Sequence, residues 1–102
     1  MSARRLRLEV SELATDDLRS IQAYTLDHWG PVQATAYEES LHGVLEMLLA
    51  RPGLGRARDD IRSGLQSYPV ASHVILYRID GDTLMVLRIL HQRMDVVHAL
   101  LP

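Results

Sequence analysis

The sequence predicts an α+β domain in the order β-α-α-β-β-β: an N-terminal strand, an antiparallel helical hairpin, then a three-stranded antiparallel sheet. Three observations carry this reading. Two long stretches with apolar residues at helical steps are separated only by Gly30-Pro31, and alternating or continuously apolar runs fill the chain after Arg62. The length of 102 residues with 47% apolar side chains fits one domain over 1–102 and not two.

Leu6-Arg7-Leu8-Glu9-Val10 alternates apolar and polar side chains, the pattern of a short strand with one buried face. Ser11 or Thr15 is placed to cap the helix that follows, with Asp16 and Asp17 near its positive end. Ala14, Leu18, Ile21 and Thr25 step by four, three and four, and Tyr24 and Trp29 extend that stripe. Gly30-Pro31 should end this helix and start the next: glycine tolerates a left-handed terminus, and proline suits a first helical turn. From Pro31 to Ala50 the apolar face is Ala34, Tyr37, Leu41, Val44, Leu45 and Leu48, while Glu38, Glu39, His42 and Glu46 face elsewhere. So short a turn makes the two helices antiparallel neighbours.

Pro52 and Gly53 close the second helix, and residues 51–60 form a polar, turn-rich connection. Arg62 to Tyr68 is a weak strand, interrupted by Gly64 and closed by Pro69. His73 to Ile79 is a strong one, and Asp80-Gly81 signals a hairpin into Thr83 to Leu90. Leu84-Met85-Val86-Leu87 is continuously apolar, so this last strand should lie inside the sheet with both faces covered. The tail Val96 to Leu101 is apolar and too short to stand alone; it must dock on the body or on a partner.

Composition removes several kinds of chemistry. Without cysteine there are no disulfides, zinc-thiolate sites, iron–sulfur clusters or thiol catalysis, and a reducing cytosol is the natural home for such a chain. All eleven basic residues are arginine, which excludes a Schiff-base lysine or a P-loop. A net charge of −2 is too close to neutral for general adhesion to nucleic acid. The second half of the chain is the more basic one and the better place to meet an acidic partner. No apolar run reaches the length of about 18 residues that a membrane span needs, and charges interrupt any signal-like stretch after Arg4-Arg5.

The densest polar cluster is Arg88, His91, Arg93 and Asp95, at and just beyond the end of the last strand. Alternation puts Arg88 and Leu90 on one side of that strand and His91 on the other. Such a group can bind phosphate, orient a backbone or transfer a proton. It also serves if Asp95 caps the terminal turn and pairs with Arg93. His73, His91 and His98 lack the spacing of a metal motif, and no nucleophile elbow is present. Arg56, Arg58 and Arg62 form a second basic group, partly answered by Asp59 and Asp60. Trp29 reads as a packing anchor at the hairpin turn.

Taken in order, several motifs assemble a familiar series. They are Asp17-Leu18 with Ile21 and Tyr24, Trp29-Gly30 with Gln33-Ala34 and Tyr37, Arg51 to Arg56, and Arg62-Ser63-Gly64-Leu65. His73 to Arg78 and Arg88 to Asp95 complete it. Over about residues 5 to 98 the series resembles the ParE branch of the RelE/ParE superfamily, the toxins of bacterial type II toxin–antitoxin modules. That resemblance implies a bacterial cytoplasmic protein that poisons DNA gyrase, with no cofactor, no metal and no catalytic residues of its own. It implies neutralisation by a ParD-type antitoxin with a ribbon-helix-helix N-terminus and a disordered C-terminal segment. The two would form a heterotetramer or larger assembly, touching DNA only through the antitoxin and no membrane.

On this reading Leu13, Ile21, Tyr24, Leu41 and Leu45 offer apolar contacts to the antitoxin, and Arg56, Arg58, Arg62 and Arg78 attract its acidic segment. Arg88, His91, Arg93 and Asp95, with Val96, Val97 and Leu100 of the tail, are assigned to the target. The rival implied by the same superfamily is a ribosome-dependent mRNA endoribonuclease of the RelE type, which would draw on Arg62, Arg78, Arg88, His91 and Tyr77. The lack of lysine and the acidic balance count against it.

Overall fold

A computed structural model describes residues 5–94 and 96–100, the His98 side chain excepted. Asp95, assigned above to the target, lies outside the described residues. The chain runs β1 (Arg7–Val10), α1 (Glu12–Trp29), α2 (Pro31–Ala50), a 3-10 turn (Pro52–Leu54), β2 (Arg56–Ala57), β3 (Gln66–Val70), β4 (His73–Asp80), β5 (Thr83–His91) and α3 (Val96–Leu100).

The α+β class, the first strand and the helical hairpin are as expected, but the sheet is five-stranded and mixed, in the order β1-β5-β4-β3-β2. β1 joins β5 in parallel, Arg7 opposite Thr83 through Val10 opposite Val86, and every other pairing is antiparallel. No local pattern announces a parallel pair separated by more than seventy residues, nor a strand of two residues such as β2. β1 is also less buried than its alternation implies, with Leu8 41% exposed. It is an edge strand, and α1 packs over β5 rather than over it.

Ser11 starts α1 and anchors it to the sheet. Its Oγ accepts the Ala14 N–H at 3.0 Å and donates to the Leu87 carbonyl at 2.8 Å, while its own N–H reaches Val86 O at 2.9 Å. Gly30 at φ +88° ends α1 and opens α2, donating to Leu26 O while its carbonyl accepts from Ala34 N–H. The Gln22–Glu38 side-chain hydrogen bond (2.7 Å) joins α1 to α2 as helices that run back along one another, and Arg5, ahead of β1, pairs with Glu46 of α2.

The weak strand expected over 62–68 is displaced: Arg62 to Gly64 turn, and the strand is Gln66–Val70 with Pro69 inside it. Proline is tolerated there because β2 pairs only with Gln66 and Ser67, which leaves β3 an edge at Pro69. The expected hairpin forms between β4 and β5, but Asp80 pairs with Thr83, so the two turn residues are Gly81-Asp82, Gly81 taking φ +60°. Between β4 and β5 the register slips at Leu76/Tyr77: Leu76 faces Arg88 but Tyr77 faces Val86, so Leu87 is the extra residue of a bulge.

Both faces of the sheet are covered. On one face Ala14, Tyr37, Leu41 and Leu48 of the helices pack with Ile75, Tyr77, Leu84, Val86 and Ile89 of the sheet. On the opposite face Leu65, Leu76 and Leu90 are covered by Ile61, Val96, Ala99 and Leu100. The tail therefore docks on its own body. Among the described residues no helix is long and apolar enough to cross a membrane.

Gly55 shows how closely the connection after α2 is laid on the sheet. A Cβ there would overlap the Tyr77 hydroxyl, which donates to Pro52 O (2.7 Å) and meets the Gln66 amide at 3.0 Å. Gly55→Ala is expected to cost about 2 kcal/mol in urea unfolding, because Tyr77 is fully buried and has nowhere to retreat. An unchanged midpoint would show that the loop yields instead.

Candidate functional site

Helices and sheet part company where β4 begins and β5 ends, leaving an open groove of about 620 Å³. Helical spacing aims Asp17, Ile21 and Tyr24 of α1 along one wall, and Trp29 closes the end of that helix. Tyr37 of α2, His73 of β4, and Ile89 and His91 of β5 line the groove from the other elements, with Met94 just after β5. Tyr24 stacks on His28 at 3.9 Å, and His28 Nδ1 lies 2.9 Å from the Tyr24 backbone carbonyl, which holds the His28 ring against that of Tyr24. Trp29 is 68% exposed, so it is not the packing anchor its place beside the turn suggested: the hairpin tip carries it past the residues that would bury it.

Below these apolar walls lie three polar rings. Tyr37 meets His73 edge to face, centroids 5.4 Å apart, and His73 meets His91 in the same way at 5.5 Å. Burial pushes the Tyr37 phenol up to about 12. Burial, and then the neighbouring His91, push His73 below its ordinary value of 6.5. Both rings are thus held neutral. Tyr37 Oη and His73 Nδ1 are shielded from solvent and have no hydrogen-bond partner among the described residues. Because an unpaired buried hydroxyl destabilises, Tyr37→Phe is expected to raise stability by about 1 kcal/mol in urea unfolding. A loss of stability would mean that the hydroxyl is already bonded.

One side of the groove is fixed by Asp17. β1 ends opposite Val86, so the β5 backbone beyond it has no strand partner on that side. Asp17 takes that place: it accepts from Ile89 N–H at 3.0 Å and from Arg88 Nε and Nη2 at 2.8 and 2.9 Å. Arg88 Nη1 then donates to Ala99 O at 3.0 Å, so one guanidinium ties α1, β5 and α3 together. The Asp17 hydrogen bond pushes the Arg88 pKa up.

The structure divides the residues proposed from sequence. Ile21, Tyr24 and His91 line the groove. Leu13 is exposed on α1, whereas Leu41 is buried in the core and Leu45 packs against it. Arg56 and Arg58 lie at the β2 edge, and Arg58 pairs with Asp60. Arg78 pairs with Asp80, and Arg62 donates to Leu100 O. These arginines do not gather into one patch beside the groove. Arg88 is engaged by Asp17, Arg93 is exposed, Val96 and Leu100 pack on the second core, and Val97 is 49% exposed. Sequence reasoning missed Tyr37 and His73 as a pair, since each looked like an ordinary member of an apolar stripe or strand. Among the described residues no group of three or more metal-ligating side chains comes together.

Comparison with known proteins supplies the context for this groove. Residues 8–96 match the family described as "ParE toxin of type II toxin-antitoxin system, parDE". The chain is 41% identical over 97 residues to Toxin ParE1 of Mycobacterium tuberculosis, covering 94% of this chain and 96% of that protein. It is 35% identical over 86 residues to Toxin ParE1 of Caulobacter vibrioides, covering 84% and 88%. Its fold is similar to a solved structure of the chromosomal ParDE toxin–antitoxin system of P. aeruginosa, with a TM-score of 0.73 at 19% identity over 87% of this chain and 98% of that one. It is also similar to one from the RelBE2 toxin–antitoxin complex of Mycobacterium tuberculosis, at a TM-score of 0.57 and 23% identity over 87% and 100%. The chain belongs to the ParE toxin family of type II toxin–antitoxin systems.

Proposed function

We propose that this toxin acts in the bacterial cytoplasm by inhibiting DNA gyrase and is neutralised by a ParD-type antitoxin whose C-terminal segment lies in the groove between α1, α2 and the sheet. The groove itself carries this reading. Ile21, Tyr24, Trp29 and Met94 present apolar and aromatic surface to solvent at one place, the kind of surface an amphipathic segment covers. An antitoxin segment that orders on binding suits a receptor whose walls are set by a helical hairpin and a sheet.

The RelE-type ribonuclease reading finds less support in the geometry. Tyr77 is fully buried and bonded to Pro52, Arg88 is held by Asp17, and Arg62 reaches the tail. The groups needed for phosphate stabilisation and proton transfer are dispersed over both faces of the sheet.

Two assays test the proposal. The purified chain is expected to block gyrase supercoiling, and pre-incubation with the antitoxin encoded beside it is expected to restore the reaction. Supercoiling left untouched, with cuts appearing in translating mRNA, would replace gyrase by the ribosome as the target. For the antitoxin, Tyr24→Asp and Trp29→Asp are each expected to weaken capture at least ten-fold. Capture unchanged in both would move the antitoxin to another face.

A further inference from the structure

Tyr37, His73 and His91 reach the groove from three different elements, and their hydrogen-bonding capacity is unequal. The Arg93 backbone N–H donates to His91 Nδ1 at 3.2 Å, which leaves the proton of neutral His91 on Nε2. Among the described residues Tyr37 has an unused O–H, and His73, which burial pushes towards its neutral form, has an unpaired Nδ1. Among the described residues His73 meets the rings of Tyr37 from α2 and His91 from β5, while the titratable Asp17 and Tyr24 line the same groove from α1. Asp17 is the acidic one, and its oxygens are taken by Arg88 and Ile89 N–H. Donors from three elements, the Tyr37 O–H, the His91 Nε2–H and one ring N–H of His73, therefore meet beneath apolar walls, and among the described residues the one carboxylate that lines the groove is already engaged elsewhere.

Resting on the reading of the groove as the antitoxin's seat, we propose that this floor is a receptor for a carboxylate, an acidic side chain carried on an apolar stretch of the antitoxin segment. A carboxylate accepts from several donors at once, and such charge-assisted bonds are shorter and stronger than those to a neutral amide. Seated beside His73, it also reverses what burial does to that ring: an adjacent negative charge favours the imidazolium. Binding then takes up a proton, so affinity rises as pH falls. A phosphate suits the site less well, because no arginine lines the groove among the described residues and two charges would enter without a guanidinium fork.

Phenylacetate, phenylacetamide and phenyl phosphate share one ring and differ in the head group, so they separate the possibilities. In titrations of the full chain followed by NMR, phenylacetate is expected to shift the ring signals of His73 and His91 saturably. Its affinity should be at least five-fold higher at pH 6 than at pH 8, a range over which the probe stays ionised. At pH 6 phenylacetamide is expected to bind at least ten-fold more weakly. Tyr37→Phe, which keeps the ring and removes the donor, is expected to weaken phenylacetate at least three-fold, and His73→Gln to flatten the pH dependence.

Equal binding of acid and amide, or no saturable shift, would overturn the receptor. Tighter binding of phenyl phosphate would assign the floor to a nucleic-acid backbone instead. These titrations contain no antitoxin. A chain that binds phenylacetate as described yet fails to capture an antitoxin would sink the proposed function alone. Tight antitoxin capture, indifferent to pH and to Tyr37→Phe, would sink the carboxylate receptor alone.

Discussion

Asp17→Ala is expected to lower the stability of the chain by about 3 kcal/mol, the scale seen when one partner of a shielded ion pair is removed and the other is left behind. The side chains of Asp17 and Arg88 are only 14% and 18% exposed, and the carboxylate serves three donors, one of them the Ile89 N–H at the unpaired edge of β5. Alanine leaves both the guanidinium and that N–H without a partner. Asp17→Asn keeps an acceptor and is expected to cost about half as much. The double variant Asp17→Ala/Arg88→Met should recover part of the loss, because the stranded charge is gone and its stem remains apolar. Urea unfolding of the wild-type chain, Asp17→Ala, Arg88→Met and the double variant closes the cycle; additive losses would show that the pair is merely a surface contact.

The second large effect concerns the tail. Deleting residues 96–102 removes Val96, Ala99 and Leu100 from the face formed by Leu65, Leu76 and Leu90, together with the carbonyls that accept from Arg62 and Arg88. The expected cost is on the order of 3 kcal/mol, at about 1 kcal/mol for each partly buried apolar side chain, with new binding of a hydrophobic dye. Loss of toxicity on truncation would then follow from a weakened body before it reported a lost target contact. Arg62→Gln, which breaks only the bond to Leu100, is expected to cost less than about 1 kcal/mol. A truncated chain as stable as the full one, with no dye binding, would return the tail to the role of a pure partner contact.

Much of the architecture could be read along the chain because it is written in short-range terms. Ser11 caps because a hydroxyl at that point meets an orphan N–H, and Gly30-Pro31 breaks one helix and begins another through backbone preference alone. The chain reverses just after Asp80, at Gly81-Asp82, for the same kind of reason. The continuous apolar run Leu84 to Leu87 correctly announced an interior strand covered on both faces. The site was less legible. Ile21 and Tyr24, assigned to the antitoxin, and His91, assigned to the target, all line one groove, but Leu41 and Leu45 carry the same apolar signature and go to the core. Periodicity tells which residues share a face; it does not tell where along that face the cover ends.

The sequence by itself determined the class of fold, the helical hairpin, the hairpin turn and the membership of the family, since each depends on residues close in the chain or on motifs in fixed order. Only the tertiary structure decided that β1 pairs in parallel with β5, that Arg88 is held by Asp17, and that the tail closes the second face of the sheet. It alone set Tyr37, His73 and His91 side by side under the groove. These are contacts between residues far apart in the chain. Their energy comes from pairing groups that the fold has already taken out of water, and no local pattern records which pairs will meet.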